Sequence, residues 1–384
     1  MVRRVCVVIT ARPSYSRIRT ALQSIQGHDQ LELQLIVAGS ALLDRYGSVI
    51  EQIEADGFAI DSHVYMVLEG ENPTSMAKTT GLGLLELATV FDNLDPDVVV
   101  TIADRYETLA TATAAAYMNI PLAHVQGGEI SGSIDEKVRH AVTKLADLHL
   151  TATTLARQRV IRMGEASDSV HACGCPSVDL AAEVLANPVL DFDPVERYGG
   201  VGNRVDPAEP YIVVMQHPVT TEYETSRAYI EETLDAVRSA GVPAYWFWPN
   251  VDAGADGTSR GIRAFRERHN SYPVRFFKNM SPTDFLKVLI NSRAIVGNSS
   301  VAIREASFLG VPAVNVGSRQ AGRERGHNVV DVPYDRHRIA DAIRGQAEQG
   351  RFDSDQLYGD GKAGSRIAQV LASTELKINK HLTY

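Results

Sequence analysis

The stretch AIVGNSSVAIREASFLGVPAVNVGSRQ, residues 294–320, decides the fold. It reads as a short apolar strand ending in Gly-Asn, a turn into a helix that begins at Ser299 and Ser300, and a second apolar strand, PAVNVG. Strand, helix and parallel strand in that order form the unit of a doubly wound α/β sheet, whose ligands sit at the carboxyl ends of the strands. The same unit recurs along the chain. VRRVCVVIT, LELQLIVAG, DVVVTIAD, PLAHVQGG and LHLTAT supply near-continuous apolar runs in the first half. YIVVMQ, PAYWFWPN, VRFFKN, AIVGNSS and PAVNVGS do so in the second, each followed by a helix-length pattern. Such runs predict parallel strands buried on both faces. Between the two series, residues 186–210 are rich in Pro, Gly and Asp and lack periodicity, which predicts a linker. The expected organisation is two doubly wound, Rossmann-like α/β domains, 1–185 and 211–365, facing each other across a ligand-binding cleft, with a terminal helix over 366–384.

Composition narrows the function. At 384 residues, 44% hydrophobic and 22% charged, the chain has the profile of a soluble multidomain protein, and no apolar run approaches the roughly 20 residues that span a bilayer. No membrane partner is expected. MVRRVCVVIT flows into ARPSYSRI without a small-residue cleavage site, so it predicts a first buried strand and not a signal peptide. Three cysteines, Cys6, Cys173 and Cys175, give no even disulfide framework, and Cys-Gly-Cys lacks the partners of a zinc site. Reduced thiols in a cytoplasmic protein are the expectation. A net charge of −9 without a Lys/Arg block excludes the basic footprint that nucleic acid needs. Any anion must be held by local groups.

The quoted stretch offers such groups. A helix N-terminus presents unpaired N–H groups and a positive dipole end, and the Ser299 and Ser300 hydroxyls add donors without bulk, which suits phosphate. Glu305, about one and a half turns along, would repel phosphate but can accept from a ribose diol. Arg319, beyond the next strand, can reach the same strand ends with a bidentate fork. The plainer alternative has the serines capping a helix and Glu305 paired with Arg304 or Arg323. In the first half, Arg12 and Ser16 flank a helix start after VCVVIT, with Pro13 stiffening the turn. There is no glycine fingerprint of a dinucleotide site there, so no cofactor is expected.

The densest chemistry lies between 101 and 140. Asp104 and Arg105 end one predicted strand, and His124 through Glu129 end the next, so both fall in one crevice. With Asp135, Glu136, Arg139 and His140 they supply several ionisable groups for acid/base work on a sugar, and the Gly127–Gly128 pair would let backbone approach a ligand. Taken singly, Glu136, Lys137 and Arg139 read as a solvated helix face, and His140 as a packing residue. Metal-ligand spacings are absent, so no metal is expected.

ARPSYS, ADRYETLA, HVQGGEISGSIDEKVRHA, MQHPVTTE, WPNVDAG, FFKNMSP, GNSSVAIREASFLGVPAVNVGSRQAGRERG and LYGDGKAG together resemble the hydrolysing UDP-N-acetylglucosamine 2-epimerases of sialic, legionaminic and related nonulosonic acid pathways. The resemblance spans nearly the whole chain. It implies the two-domain glycosyltransferase-B architecture, a UDP-sugar substrate, and a homodimer or higher homo-oligomer. By that resemblance Ser299 and Ser300 bind diphosphate, Glu305 binds ribose, and Arg12, Ser16, His217, Asn250 and Arg319 hold other parts of the nucleotide. Arg105 joins the substrate-binding set, and Asp104, Gln126, Glu129, Asp135 and His217 form the catalytic set. The implied reaction removes the C2 proton as UDP leaves C1, giving a glycal that water then hydrates. Gln126 stands where better-studied members carry an acid, and an amide cannot take and return a proton as a carboxylate does. Ala103 replaces a common glycine before the aspartate. Two other readings stay open, a UDP-dependent glycosyltransferase and a non-catalytic nucleotide-sugar-binding protein.

Overall fold

All ten apolar runs are strands in a computed structural model of the chain, which describes residues 2–43, 49–70, 72–131, 134–249 and 254–383. Seven strands form the first sheet: β1 (Arg3–Ile9), β2 (Leu31–Ala38), β3 (Ser62–Val64), β4 (Val98–Ile102), β5 (Leu122–Val125), β6 (Leu148–Thr151) and β7 (Val170–Ala172). They pair in parallel in the order β3-β2-β1-β4-β5-β6-β7. The second sheet takes β8 (Val201–Gly202), β9 (Ile212–Met215), β10 (Ala244–Phe247), β11 (Val274–Phe277), β12 (Ile295–Gly297), β13 (Ala313–Val316) and β14 (Val329–Val332). Its order is β14-β13-β12-β9-β10-β11-β8, parallel throughout except for β8 against β11. β4 is buried at every residue and contributes Val98, Val100 and Ile102 to one core and Val99 to another, the two-faced burial its sequence requires.

The chain divides differently from the expected 1–185, 186–210, 211–365 and 366–384. One compact unit comprises Met1–Glu129, Ile134–Leu180 and Tyr358–Tyr384, and the other Ile130–Ser133 and Ala181–Leu357. The segment 186–210, expected as a linker, carries the helix Pro194–Tyr198 and edge strand β8, and is tied to its own unit by Lys287 to Asp191 at 2.9 Å. A two-residue strand is too short to leave a period in the sequence.

The terminal helix is Ala363–Ser373, shorter and earlier than 366–384. It returns to the first unit, packing Ile367, Ala368 and Leu371 with Ile18, Ala21, Leu22 and Ile25 of the helix Arg12–Gln26. Buried Asp179 accepts from the backbone N–H groups of Ala363 and Gly364 at 2.8 and 2.6 Å, filling the role of an N-cap from another element. No helix among the described residues is long and apolar enough to cross a membrane.

Candidate active site

Strand order locates the sites before any side chain is considered. In the first sheet β1 lies between β2 and β4, and in the second β9 lies between β10 and β12. The chain reverses direction across the sheet there, and the crevices at those switch points are where open α/β sheets bind ligands. β1 runs into Arg12, β4 into Asp104, β9 into His217 and β12 into Asn298, Ser299 and Ser300.

At the first switch point the guanidinium of Arg139 organises the acids. It pairs with Asp104, donates to the Glu129 carbonyl oxygen at 2.8 Å and to Glu136 Oε2 at 3.0 Å. Arg139 is 1% exposed, so the expectation of a solvated helix face is corrected: it is a buried cation. Burial opposes its charge, but Asp104, Glu129 and Glu136 outweigh burial and hold its pKa above the ordinary value. Arg17 stands 3.9 Å from the other Asp104 oxygen. Asp135 opens the same helix, Asp135–Leu145, one turn before Arg139.

Two strained residues flank this cluster. Ala103 and Gln126, at the ends of β4 and β5, adopt φ of 64° and 68°, values that cost a side-chain-bearing residue and persist only where surroundings impose them. His124, fully buried, donates from Nε2 to the Ala103 carbonyl oxygen at 2.9 Å and accepts at Nδ1 from the Thr143 hydroxyl at 3.1 Å. Burial pushes its pKa down to about 3, so the ring is neutral in this role. Gln126 is also fully buried and donates through Nε2 to Cys175 Sγ at 2.9 Å, while its Oε1 has no partner among the described residues. Gly128 does not serve ligand approach as expected. A Cβ there would meet the Ala156 carbonyl oxygen at 2.3 Å, so the glycine admits a neighbouring helix.

The second switch point is laced together by an asparagine amide, with the Arg319 guanidinium and the Glu305 carboxylate beside it. Asn298, 0% exposed, accepts at Oδ1 from the His217 N–H at 2.7 Å and donates through Nδ2 to the His217 carbonyl oxygen at 2.8 Å. The Asn298 carbonyl oxygen in turn accepts from Gln320 at 2.9 Å and from Arg319 at 3.3 Å. Gly297 permits this clasp, since a Cβ at its φ of 129° would meet the Met215 carbonyl oxygen at 2.2 Å. The expected continuous helix from Ser299 is corrected: a 3₁₀ turn, Ser300–Ala302, precedes a four-residue helix, Glu305–Phe308. A helix dipole is therefore weak here, and Ser299 accepts from the Val301 N–H at 3.4 Å. Glu305 is buried, and its Oε2 has no partner among the described residues, unlike the surface pairing of the plainer reading.

The remaining candidates sit as follows. Ser16 donates to the Arg12 carbonyl oxygen at 3.4 Å, inside a helix whose N-terminus has no side-chain cap. Arg105 forks onto fully buried Glu107, Nε and Nη2 each at 3.2 Å. Asn250 lies outside the described residues. Asn298 and His124 escaped assignment from sequence because their work is done on neighbouring backbone.

Comparison with known proteins supplies the rest. The family profile described as UDP-N-acetylglucosamine 2-epimerase matches residues 23–372. The chain belongs to that family. It is 34% identical over 377 residues to a UDP-N,N'-diacetylbacillosamine 2-epimerase (hydrolyzing) of Legionella pneumophila, covering 98% of this chain and 97% of that one. It is 29% identical to a UDP-N-acetylglucosamine 2-epimerase of Neisseria meningitidis, covering 97% and 96%. In fold it is similar to the crystal structure of the UDP-GlcNAc 2-epimerase from Neisseria meningitidis bound to UDP-GlcNAc, with a TM-score of 0.80, 17% identity, and 97% and 100% coverage. Family membership makes the chain an enzyme of the 2-epimerase class.

Proposed function

We propose that the chain is a hydrolysing 2-epimerase of a UDP-linked N-acylated amino sugar, either UDP-N-acetylglucosamine or UDP-N,N'-diacetylbacillosamine. The observation that supports this most is the Asp104–Arg139 pair at the first switch point, with Asp135 one turn away. A transferase that only moves a sugar to an acceptor has no need for such a cluster.

In this reading Asp104 and Asp135 transfer protons. One takes the C2 proton while the C1–O bond breaks and UDP leaves with its electron pair. Water then adds across the resulting C1–C2 double bond, hydroxyl to C1 and proton to the opposite face of C2, giving a free mannose-configured sugar. Arg139, Glu129 and His217 keep the acids and the leaving group in place. Gln126 does not titrate, and its unpartnered Oε1 accepts a hydrogen bond from the sugar or a water. Ser299, Ser300 and Arg319 hold the diphosphate, Glu305 the ribose, and Arg12, Ser16, Arg105 and Asn250 further parts of the substrate. Assembly as a homo-oligomer and a cytoplasmic setting, in keeping with three buried free thiols, belong to the same proposal.

Incubation with each UDP-sugar followed by product analysis tests it. UDP and a free sugar, formed without an acceptor, are expected. A UDP-linked product, or dependence on an added acceptor, contradicts it.

A further inference from the structure

The chain after Ser373 leaves the helix and runs back along the first unit, where one of its side chains meets the catalytic helix at its far end. Lys380 donates to the carbonyl oxygens of Thr143 and Lys144 at 3.2 and 2.9 Å and to that of Ala146. Thr143 and Lys144 lie in the last turn of Asp135–Leu145 and Ala146 is its C-cap, where the final carbonyls have no partner within the helix and carry the negative dipole end. The same ammonium pairs at 2.6 Å with Glu165, a buried carboxylate also held by Lys144 and by His149 at 3.1 Å. Thr383 adds a hydroxyl bond to the Glu165 carbonyl oxygen at 3.2 Å.

From this clamp two routes lead to Asp104. Arg139, on the same helix, pairs with Asp104 directly. Thr143, whose carbonyl Lys380 caps, uses its hydroxyl to fix His124, and His124 holds the carbonyl of Ala103, the strained residue that aims Asp104. The structure assigns Lys380 as a positioning residue for the reaction: the terminal segment is a strap that sets the helix Asp135–Leu145, and through Arg139 and the Thr143–His124–Ala103 chain it fixes the Asp104 carboxylate. This rests on the reading that Asp104 transfers a proton.

The test compares Lys380→Met, Lys380→Arg and Thr143→Val in the full chain, with the exposed Lys377→Met as control. Lys380→Met should lower kcat about tenfold while leaving the substrate KM within about twofold, and should speed hydrogen exchange over 103–104 and 139–146. Lys380→Arg should restore most of the loss, and Lys377→Met should change nothing. Thr143→Val should reproduce the kcat loss, and the double variant should fall little further than either single, because both act on one chain of contacts. Unchanged exchange in Lys380→Met overturns the strap. Faster exchange with undiminished kcat overturns the positioning role of Lys380, whereas full turnover in Asp104→Asn would instead overturn the reading on which the proposal rests. Fully additive losses, or a fall in kcat that disappears once turnover is referred to the folded fraction, reduce Lys380 to a structural residue and overturn the proposal.

Discussion

At the end of β4 the first unit gathers Asp104, Glu129 and Glu136 around a buried guanidinium and holds Ala103 in a left-handed conformation. At the end of β12 the second unit uses an asparagine amide to lace Asn298 to His217, with Ser299, Gln320, Arg319 and the buried Glu305 carboxylate around it. The strand order is the same about each switch point, β2-β1-β4 in one sheet and β10-β9-β12 in the other. Topology therefore chooses where a ligand can lie on each sheet, and in the proposed function the side chains at the strand ends divide proton transfer from nucleotide binding. Mobile protons need charges set against one another in low dielectric, where pKa values can be moved. Holding a nucleotide needs donors and acceptors placed before it binds.

The largest effect should come from disarming the first crevice. Asp104→Asn and Asp135→Asn should each lower turnover by ~10²–10⁴-fold and leave UDP affinity unchanged in calorimetry, because they remove proton transfer without touching the second unit. A matching loss of UDP affinity would erase the distinction between the crevices. Next, Glu305→Ala should weaken UDP binding by ~10–100-fold, the equivalent of ~1.5–3 kcal/mol for a charge-assisted hydrogen bond. Its kcat at saturation should change far less.

How much of this division could be read beforehand depends on the residue. The ten inner strands were legible because continuous Val, Ile and Leu leave no other buried arrangement. β3, β7, β8 and β14 were not, because they are the edges of the two sheets, partly exposed and without a continuous apolar run. Asp104 and Ser299 could be singled out because an acid or hydroxyl at a predicted strand end is unusual in itself, and Glu305 because it follows on the helix expected after Ser299. Arg139 looked like one more charge on an amphipathic helix, since nothing local shows that its face turns inward onto three acids. Asn298 and His124 act on backbone atoms distant in sequence, and Lys380 acts on a helix more than 230 residues earlier. Such partners exist only once the sheet has formed.

Smaller effects sharpen the comparison further. Gln126→Glu would bury a carboxylate beside Cys175 Sγ where the amide now sits. It should cost ~1–3 kcal/mol of stability, seen as a lower midpoint in denaturant, and should not raise turnover. Enhanced turnover would mean that this position needs an acid after all. The first crevice should also carry a pH dependence set by buried His124. His124 has a folded pKa of about 3 against an ordinary 6.5, so the unfolded chain binds its proton first. Its contribution to stability is complete above pH 6.5 and is lost as pH falls toward 3. His124→Gln should flatten the stability profile in that window by at most about 1.4 kcal/mol per pH unit.

The most direct test of the central claim follows the reaction in deuterated water with the unmodified enzyme and a UDP-N-acylated amino sugar, reading mass and proton spectra of the products. The account predicts UDP and a free mannose-configured sugar carrying one deuterium at C2, delivered when the glycal is hydrated. UDP release with the original hydrogen retained at C2 would contradict it and leave direct glycosidic cleavage in its place.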